Sequence, residues 1–208
     1  MSRTSGSRNR DYVERREALA AALIPRLLVP DGARVSAREL AAAAGVSVPT
    51  LRHYFGGRAG AISAALASMR HLGAVHIARA AAEPHGAVAE SLHWYVGELI
   101  LGWERYGVGT MVGTAIAVGL FDREVGPACV TEILEPLLQG AEARLATHVK
   151  AGEVEIADLR GAALALLGPV VLALLHQGPL GGAGCRPLDT GAFAHAHVDH
   201  FLRGCRIG

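Results

Sequence analysis

The chain has 208 residues, 51% hydrophobic, 5% aromatic and 19% charged, with a formal net charge of +1. That length carries one domain or two small ones with a proper core, and the composition excludes a chain too polar to fold. Three cysteines, Cys129, Cys185 and Cys205, form no Cys-x-x-Cys pair, which excludes a disulfide scaffold and suits a reducing cytoplasm.

Met1–Arg10 is Ser, Gly, Asn and Arg without an apolar stretch, so it reads as a flexible basic arm rather than a signal peptide or anchor. Arg3, Arg8 and Arg10 are candidates for a minor groove, as such arms serve in other DNA-binding domains. A first helix follows, with Pro25 inside it; a proline there removes an amide and clashes with the preceding turn, so a kink or an early end is expected.

Ser36–Phe55, SARELAAAAGVSVPTLRHYF, reads as two short helices joined by a tight turn. Ser36 and Glu39 form a capping box, each side chain serving the other's amide. Leu40, Ala41 and Ala44 give the first helix a small apolar face, and Gly45 stands where the departing chain needs positive φ. Val46 plugs the gap between the helices, Ser47 is a second N-cap, and Pro49 is tolerated in the first turn, whose amides have no intrahelical partner. The second helix, about Val48–Tyr54, turns Leu51 and Phe55 inward. Ser47, Thr50, Arg52, His53 and Tyr54 face outward, with the hydroxyls, guanidinium, imidazole and phenol that bond phosphates and base edges.

Arg16–Ile62 resembles the amino-terminal domain of the TetR family of bacterial transcriptional regulators. The matching residues are Leu40-Ala41, Ala44-Gly45-Val46-Ser47, Thr50-Leu51, Tyr54-Phe55 and Arg58. Arg52 departs from the aromatic usual in the family after the leucine, and Ala59-Gly60 from the acidic residues that often follow the basic one. The resemblance implies an all-α fold of about nine helices: an N-terminal three-helix helix-turn-helix domain and a helical ligand-binding and dimerisation domain. It implies a DNA interface of Ser36, Ser47, Val48, Pro49, Thr50, Arg52, His53, Tyr54 and Arg58, the last holding a phosphate from the first turn of helix four.

Net charge near zero divides unevenly. Met1–Ala80 carries 12 Arg against 5 acidic residues, whereas Ala81–Gly208 carries 8 basic against 14 acidic. Counterion release needs local positive charge, so this places a DNA-binding head before an acidic body.

Helix four runs from Gly56 to about Ala82 with Ile62, Leu66 and Met69 on one stripe, and Glu83-Pro84-His85-Gly86 breaks it. The expected division is thus 1–10 arm, 11–84 DNA-binding domain and 85–208 body. The body shows five helical stretches. Val88–Tyr106 is amphipathic through Leu92, Val96 and Trp103. Gly107–Leu120 is apolar and Gly-rich but lacks the preceding strand of a dinucleotide site, so packing or room for a ligand explains its glycines. Gly126–Lys150 carries Pro136 at an expected bend. Ala157–Gln177 is the most hydrophobic stretch, judged too short for a bilayer, with Pro169 within it. After a Gly/Pro loop at Pro179–Asp189, Thr190–Arg203 closes the chain as an amphipathic helix.

The resemblance implies that the last two helices form a homodimer, and a two-fold pair of reading heads would engage a double-stranded palindromic operator. It also implies a small-molecule effector within the body that releases a repressor from DNA; Trp94, Glu98, Trp103, Tyr106, Met111, Thr114, Phe121 and His176 are the candidate contacts. A ligand-independent dimeric DNA-binding protein is the alternative. An enzyme is not expected, for the chain has no phosphate loop, nucleophile elbow or His-Glu-x-x-His. His195-Ala-His197-Val-Asp199-His200 offers His197 and His200 on one helical face, an incomplete set, so no metal or cofactor is assigned; a small metal-dependent enzyme remains the remote reading. No membrane partner is expected, and the location is cytoplasmic.

Overall fold

The computed structural model describes residues 5–29, 31–81, 86–105 and 107–205, with side-chain environments for these except 5–8 and 72–81. Every regular element among them is helical: α1 Ser5–Leu27, α2 Ala37–Ala43, α3 Val48–Phe55, α4 Arg58–Ala81, α5 Val88–Arg105, α6 Val108–Phe121, α7 Gly126–Cys129, α8 Glu135–Lys150, α9 Leu159–Gln177 and α10 Thr190–Gly204. A π turn at Val130–Leu134 joins α7 to α8 into one rod, giving nine rods among the described residues. Pro136, which has no amide to return to the Glu132 carbonyl, explains why the ladder loosens just ahead of it.

The residues form two compact units: Met1–Gly73 with Thr114–Ile133, and Ala74–Gly113 with Leu134–Gly208. In the first, Leu19, Leu23 and Leu27 of α1 meet Leu40, Leu51, Ile62, Leu66 and Met69, all nearly or fully buried. Sequence punctuation at 83–86 assigns Thr114–Ile133 to the body, but two ion pairs tie this stretch to α4: Arg58 with Asp122, and Arg70 with Glu132 at 2.7 Å. In the second unit Leu92, Val96, Leu145, Leu166, Leu167, Val170, Val198 and Leu202 form the core, where α9 packs along α8 and α10. Tyr95 donates to the Leu137 carbonyl (3.2 Å), and burial pushes its phenol up to about 12.

Several expectations need correction. The basic arm is helical from Ser5, because extending an existing helix adds one bond per residue fixed while starting one does not; Met1–Thr4, Arg3 among them, lies outside the described residues. Pro25 lies inside α1, which ends two residues later, at Leu27, so the expectation of a kink or an early end needs no correction. The break at Glu83-Pro84-His85 also lies outside them. α9 is not too short for a bilayer: its 19 residues, at mean hydropathy 1.8, are long and apolar enough to cross one by length and composition. Instead, Ala163, Leu166, Leu167, Val170 and Leu174 are buried within the unit, and Asp158 caps the helix by accepting from the Gly161 amide (3.0 Å).

Pro169 leaves the Ala165 carbonyl without its intrahelical donor. His197 of α10 fills the place: its Nε2 lies 3.2 Å from that oxygen and 3.0 Å from the Leu166 carbonyl. A proline in an apolar helix is thereby matched by a histidine on its neighbour.

Candidate nucleic-acid interface

The helix-turn-helix is built from local chemistry. Ser36 Oγ accepts from the Glu39 amide (3.3 Å) and the Ser36 amide donates to Glu39 Oε2 (2.8 Å), completing the expected capping box. Glu39 does a second job. With Asp31 it holds Arg26, at 2.6 Å and 3.0 Å, so two acidic residues on this face share one cation. The Ser36 amide, then the Arg26 guanidinium and the Ser36 hydroxyl, hold the Glu39 carboxyl down at about 2.

α2 ends in a Schellman arrangement: the Val46 amide reaches the Ala41 carbonyl (2.9 Å) and the Gly45 amide reaches that of Ala42 (3.0 Å). Gly45 lies at φ 64, the left-handed region where a Cβ is strained. Ser47 then caps α3, accepting from the Thr50 amide (3.2 Å), and its hydroxyl also lies 2.8 Å from that of Thr50. Leu51 and Phe55 are buried, and Gly56 closes the helix at φ 79.

This packing leaves Ser36, Ser47, Pro49, Arg52 and His53 exposed and Val48, Thr50 and Tyr54 half-exposed. Arg52 has no partner among the described residues, so its five donors are available. The outward aromatic groups are braced from α1, which sequence reasoning missed. Tyr54 stacks on Tyr12 at 5.0 Å, with His53 edge-on to both. Arg16 Nε donates to the Tyr54 carbonyl (3.3 Å) and its guanidinium covers the Phe55 ring at 5.4 Å. Nothing in the local pattern of Tyr12 signals this; the aromatic character of Tyr54 is the only hint that a partner was needed. Arg34, in the turn before α2, and Arg38, in its first turn, add exposed positive charge.

Arg58 departs from its expected role. Its Nε donates to the Val35 carbonyl (2.5 Å), Nη2 to that of Ala33 (3.2 Å), and Nη1 to Asp122. With its side chain 29% exposed, the guanidinium is committed inward, to the turn before α2 and the end of α6, rather than offered to a phosphate.

Of the ligand candidates, Trp94, Glu98, Trp103, Met111 and His176 belong to the second unit, Thr114 and Phe121 to the first, and Tyr106 lies outside the described residues. Phe121 is 81% exposed. Trp103 is buried, with its indole laid against Gly109 so closely that a Cβ there has no room, and Trp94 covers the Arg144 guanidinium at 5.1 Å. His176 Nδ1 lies 2.8 Å from Gln177 Nε2 beside the loop at Gly182. On α9, Leu164 and Leu172 are 50% and 65% exposed and share a strip with exposed Ala165, Gly168 and Pro169.

No protein-family model matches the chain, and no curated protein is a significant match in sequence. Solved structures match along nearly the whole length. A TetR transcriptional regulator from Agrobacterium tumefaciens matches at TM-score 0.69 and 19% identity, covering 93% of this chain and 95% of that one. A transcriptional regulator from Rhodococcus sp. Rha1 matches at TM-score 0.68 and 20% identity, covering 93% and 98%. The flavonoid-responsive regulator FrrA matches at TM-score 0.68 and 17% identity, again covering 93% and 98%.

Proposed function

We propose, from the premise that this chain has the fold of TetR-family transcriptional regulators, that it is a member of that family and binds double-stranded DNA through α3. The observation that carries the reading is a recognition helix capped by Ser47, with Leu51 and Phe55 buried beneath it and Arg52 and His53 exposed on its outer side. Thr50, Arg52 and His53 read base edges, while Ser36, Ser47 and the exposed Arg34 and Arg38 approach phosphates. Tyr12 and Arg16 stiffen α3, which lowers the cost of ordering it on DNA.

Two copies pair through the apolar strip of α9 and the adjoining face of α10, presenting two α3 helices to a palindromic operator in the cytoplasm. The protein acts as a repressor released by a small molecule; FrrA, a regulator of the same fold, is by its name flavonoid-responsive. A ligand that prefers the arrangement with mismatched half-site spacing lowers operator affinity by its differential affinity for the two states.

The test is binding of the purified protein to DNA from upstream of its own gene, by mobility shift against random competitor in a salt series. Selective binding that weakens with salt is expected. Arg52→Ala costs about 1–3 kcal/mol if the guanidinium reads a base, or lowers the salt slope by about 0.9 per phosphate if it does not. Binding equal to that of random duplex, with the extracted protein free of any small molecule by mass spectrometry, overturns the reading.

A further inference from the structure

Away from α3, His93 on α5 and His195 and Asp199 on α10 converge within the second unit. His93 Nε2 lies 2.9 Å from one carboxylate oxygen of Asp199, and His195 Nδ1 lies 3.6 Å from the other. The two imidazoles stack, with centroids 3.9 Å apart and 24° between planes. One ligand atom from each residue falls within 4.8 Å of the other two. His93 and Asp199 are half-buried, His195 exposed. His195 and Asp199 stand one turn apart on α10, so both project from the side that packs along α5.

A hydrogen bond between His93 and Asp199 accounts for two of these groups but not for a second imidazole laid over the first, against the same carboxylate. A metal ion would draw on all three groups, with His195 leaving the stack, because imidazole lone pairs lie in the ring plane and have to converge on the ion. Zinc bonds of about 2.0–2.1 Å set tetrahedral ligand atoms about 3.3 Å apart; the separations of 2.9 Å and 3.6 Å lie on either side of that value but run to different oxygens of Asp199. All three ligand atoms lie within 4.8 Å of one another, and bringing them onto one ion requires rotation of the exposed His195 side chain.

We propose that His93, His195 and Asp199 bind one divalent transition-metal ion of the zinc class. Two imidazoles and a carboxylate suit zinc, cobalt or nickel, whereas magnesium and calcium favour oxygen-only sites. Three protein ligands leave a fourth position for water or an anionic ligand on the exposed His195 side. The ion cross-links α5 to α10. His197, which the sequence paired with His200, is not in the ligand set: two positions from both His195 and Asp199 it projects from the other side of α10, where its Nε2 meets the Ala165 and Leu166 carbonyls. The site owes nothing to the DNA-binding reading and stands or falls apart from it.

The test uses tag-free, chelator-treated full-length protein titrated with Co(II), followed by its visible spectrum, and with Zn(II) against a chromophoric competitor. The expected result is one ion per chain, cobalt ligand-field bands without a thiolate charge-transfer band, and a thermal midpoint raised by the ion. His195→Ala, at an exposed position that does not endanger folding, and Asp199→Asn each weaken binding by more than about 100-fold, beyond the 10–100-fold typical of outer partners. His200→Ala and Cys185→Ser leave binding unchanged, and Mg(II) does not compete. Absence of saturable binding, a thiolate band, or wild-type affinity in His195→Ala and Asp199→Asn overturns the proposal.

Discussion

With Arg58 committed inward as an internal strut, and not to the phosphate that the sequence assigns it, Arg58→Ala removes donors to the Val35 and Ala33 carbonyls and one member of the Asp122 ion pair. Each backbone contact contributes about 0.5–1.5 kcal/mol net. The ion pair, with side chains 29% and 23% exposed, is screened and adds about 1 kcal/mol. The sum is about 2–4 kcal/mol, which at roughly 2–4 °C per kcal/mol lowers the melting temperature by about 4–16 °C. Arg58→Lys does not restore it, since one ammonium cannot serve acceptors arranged for a planar fork. Asp122→Asn loses only about 1 kcal/mol, the ion-pair share of the sum. Circular dichroism melts of the four proteins supply the stabilities. Fluorescence anisotropy with a random duplex, well below the melting range, supplies the slope of log affinity against log salt. A phosphate contact contributes about 0.9 to that slope; for Arg58→Ala the slope is expected to equal the wild type. An unshifted melting temperature together with a slope reduced by about 0.9 would falsify the strut and return Arg58 to the DNA.

The Glu39 carboxyl, held at about 2 against an ordinary 4.5, gives stability that is complete above pH 4.5 and lost as pH falls toward 2. Glu39→Gln therefore flattens the decline of melting temperature across that window, and an unchanged decline refutes the role. On α9, Leu164→Glu with Leu172→Glu turns the dimer into monomers by light scattering at micromolar concentration; far-ultraviolet dichroism is unaltered because both side chains are at least half exposed. A dimer that survives both changes places the interface elsewhere. His197→Ala lowers stability by about 0.5–1.5 kcal/mol, and less in a Pro169→Ala background, where the restored amide satisfies the Ala165 carbonyl. Equal cost in both backgrounds breaks the link between the two residues.

The helix-turn-helix was legible in the sequence because its determinants are local. Ser36 and Glu39 lie three residues apart, Ser47 and Thr50 likewise, and Gly45 acts through its own φ. Such rules operate within one turn of chain, so residue order suffices to read them. Arg58 shows the opposite case. A basic residue in the first turn of a helix is compatible with a phosphate and equally with an internal carboxylate; the deciding partner, Asp122, is 64 positions away. Tyr12 under Tyr54 was invisible for the same reason, and the grouping of Thr114–Ile133 with the first unit rests on pairs of that kind.

The histidines of α10 carry this furthest. By sequence, Pro169 marks an irregular apolar helix and the run from His195 to His200 a weak metal motif, two unrelated remarks. In the structure they are one arrangement. The missing amide of Pro169 leaves the Ala165 carbonyl as an acceptor, and His197 turns toward α9 to meet it. Helical geometry then fixes where its neighbours go: two positions before and after, His195 and Asp199 project away from His197 and toward His93 of α5. Helical spacing alone favours His197 with His200, because it sees only what one helix can align. The pairing that forms is decided by which side chain a neighbouring backbone defect has already claimed.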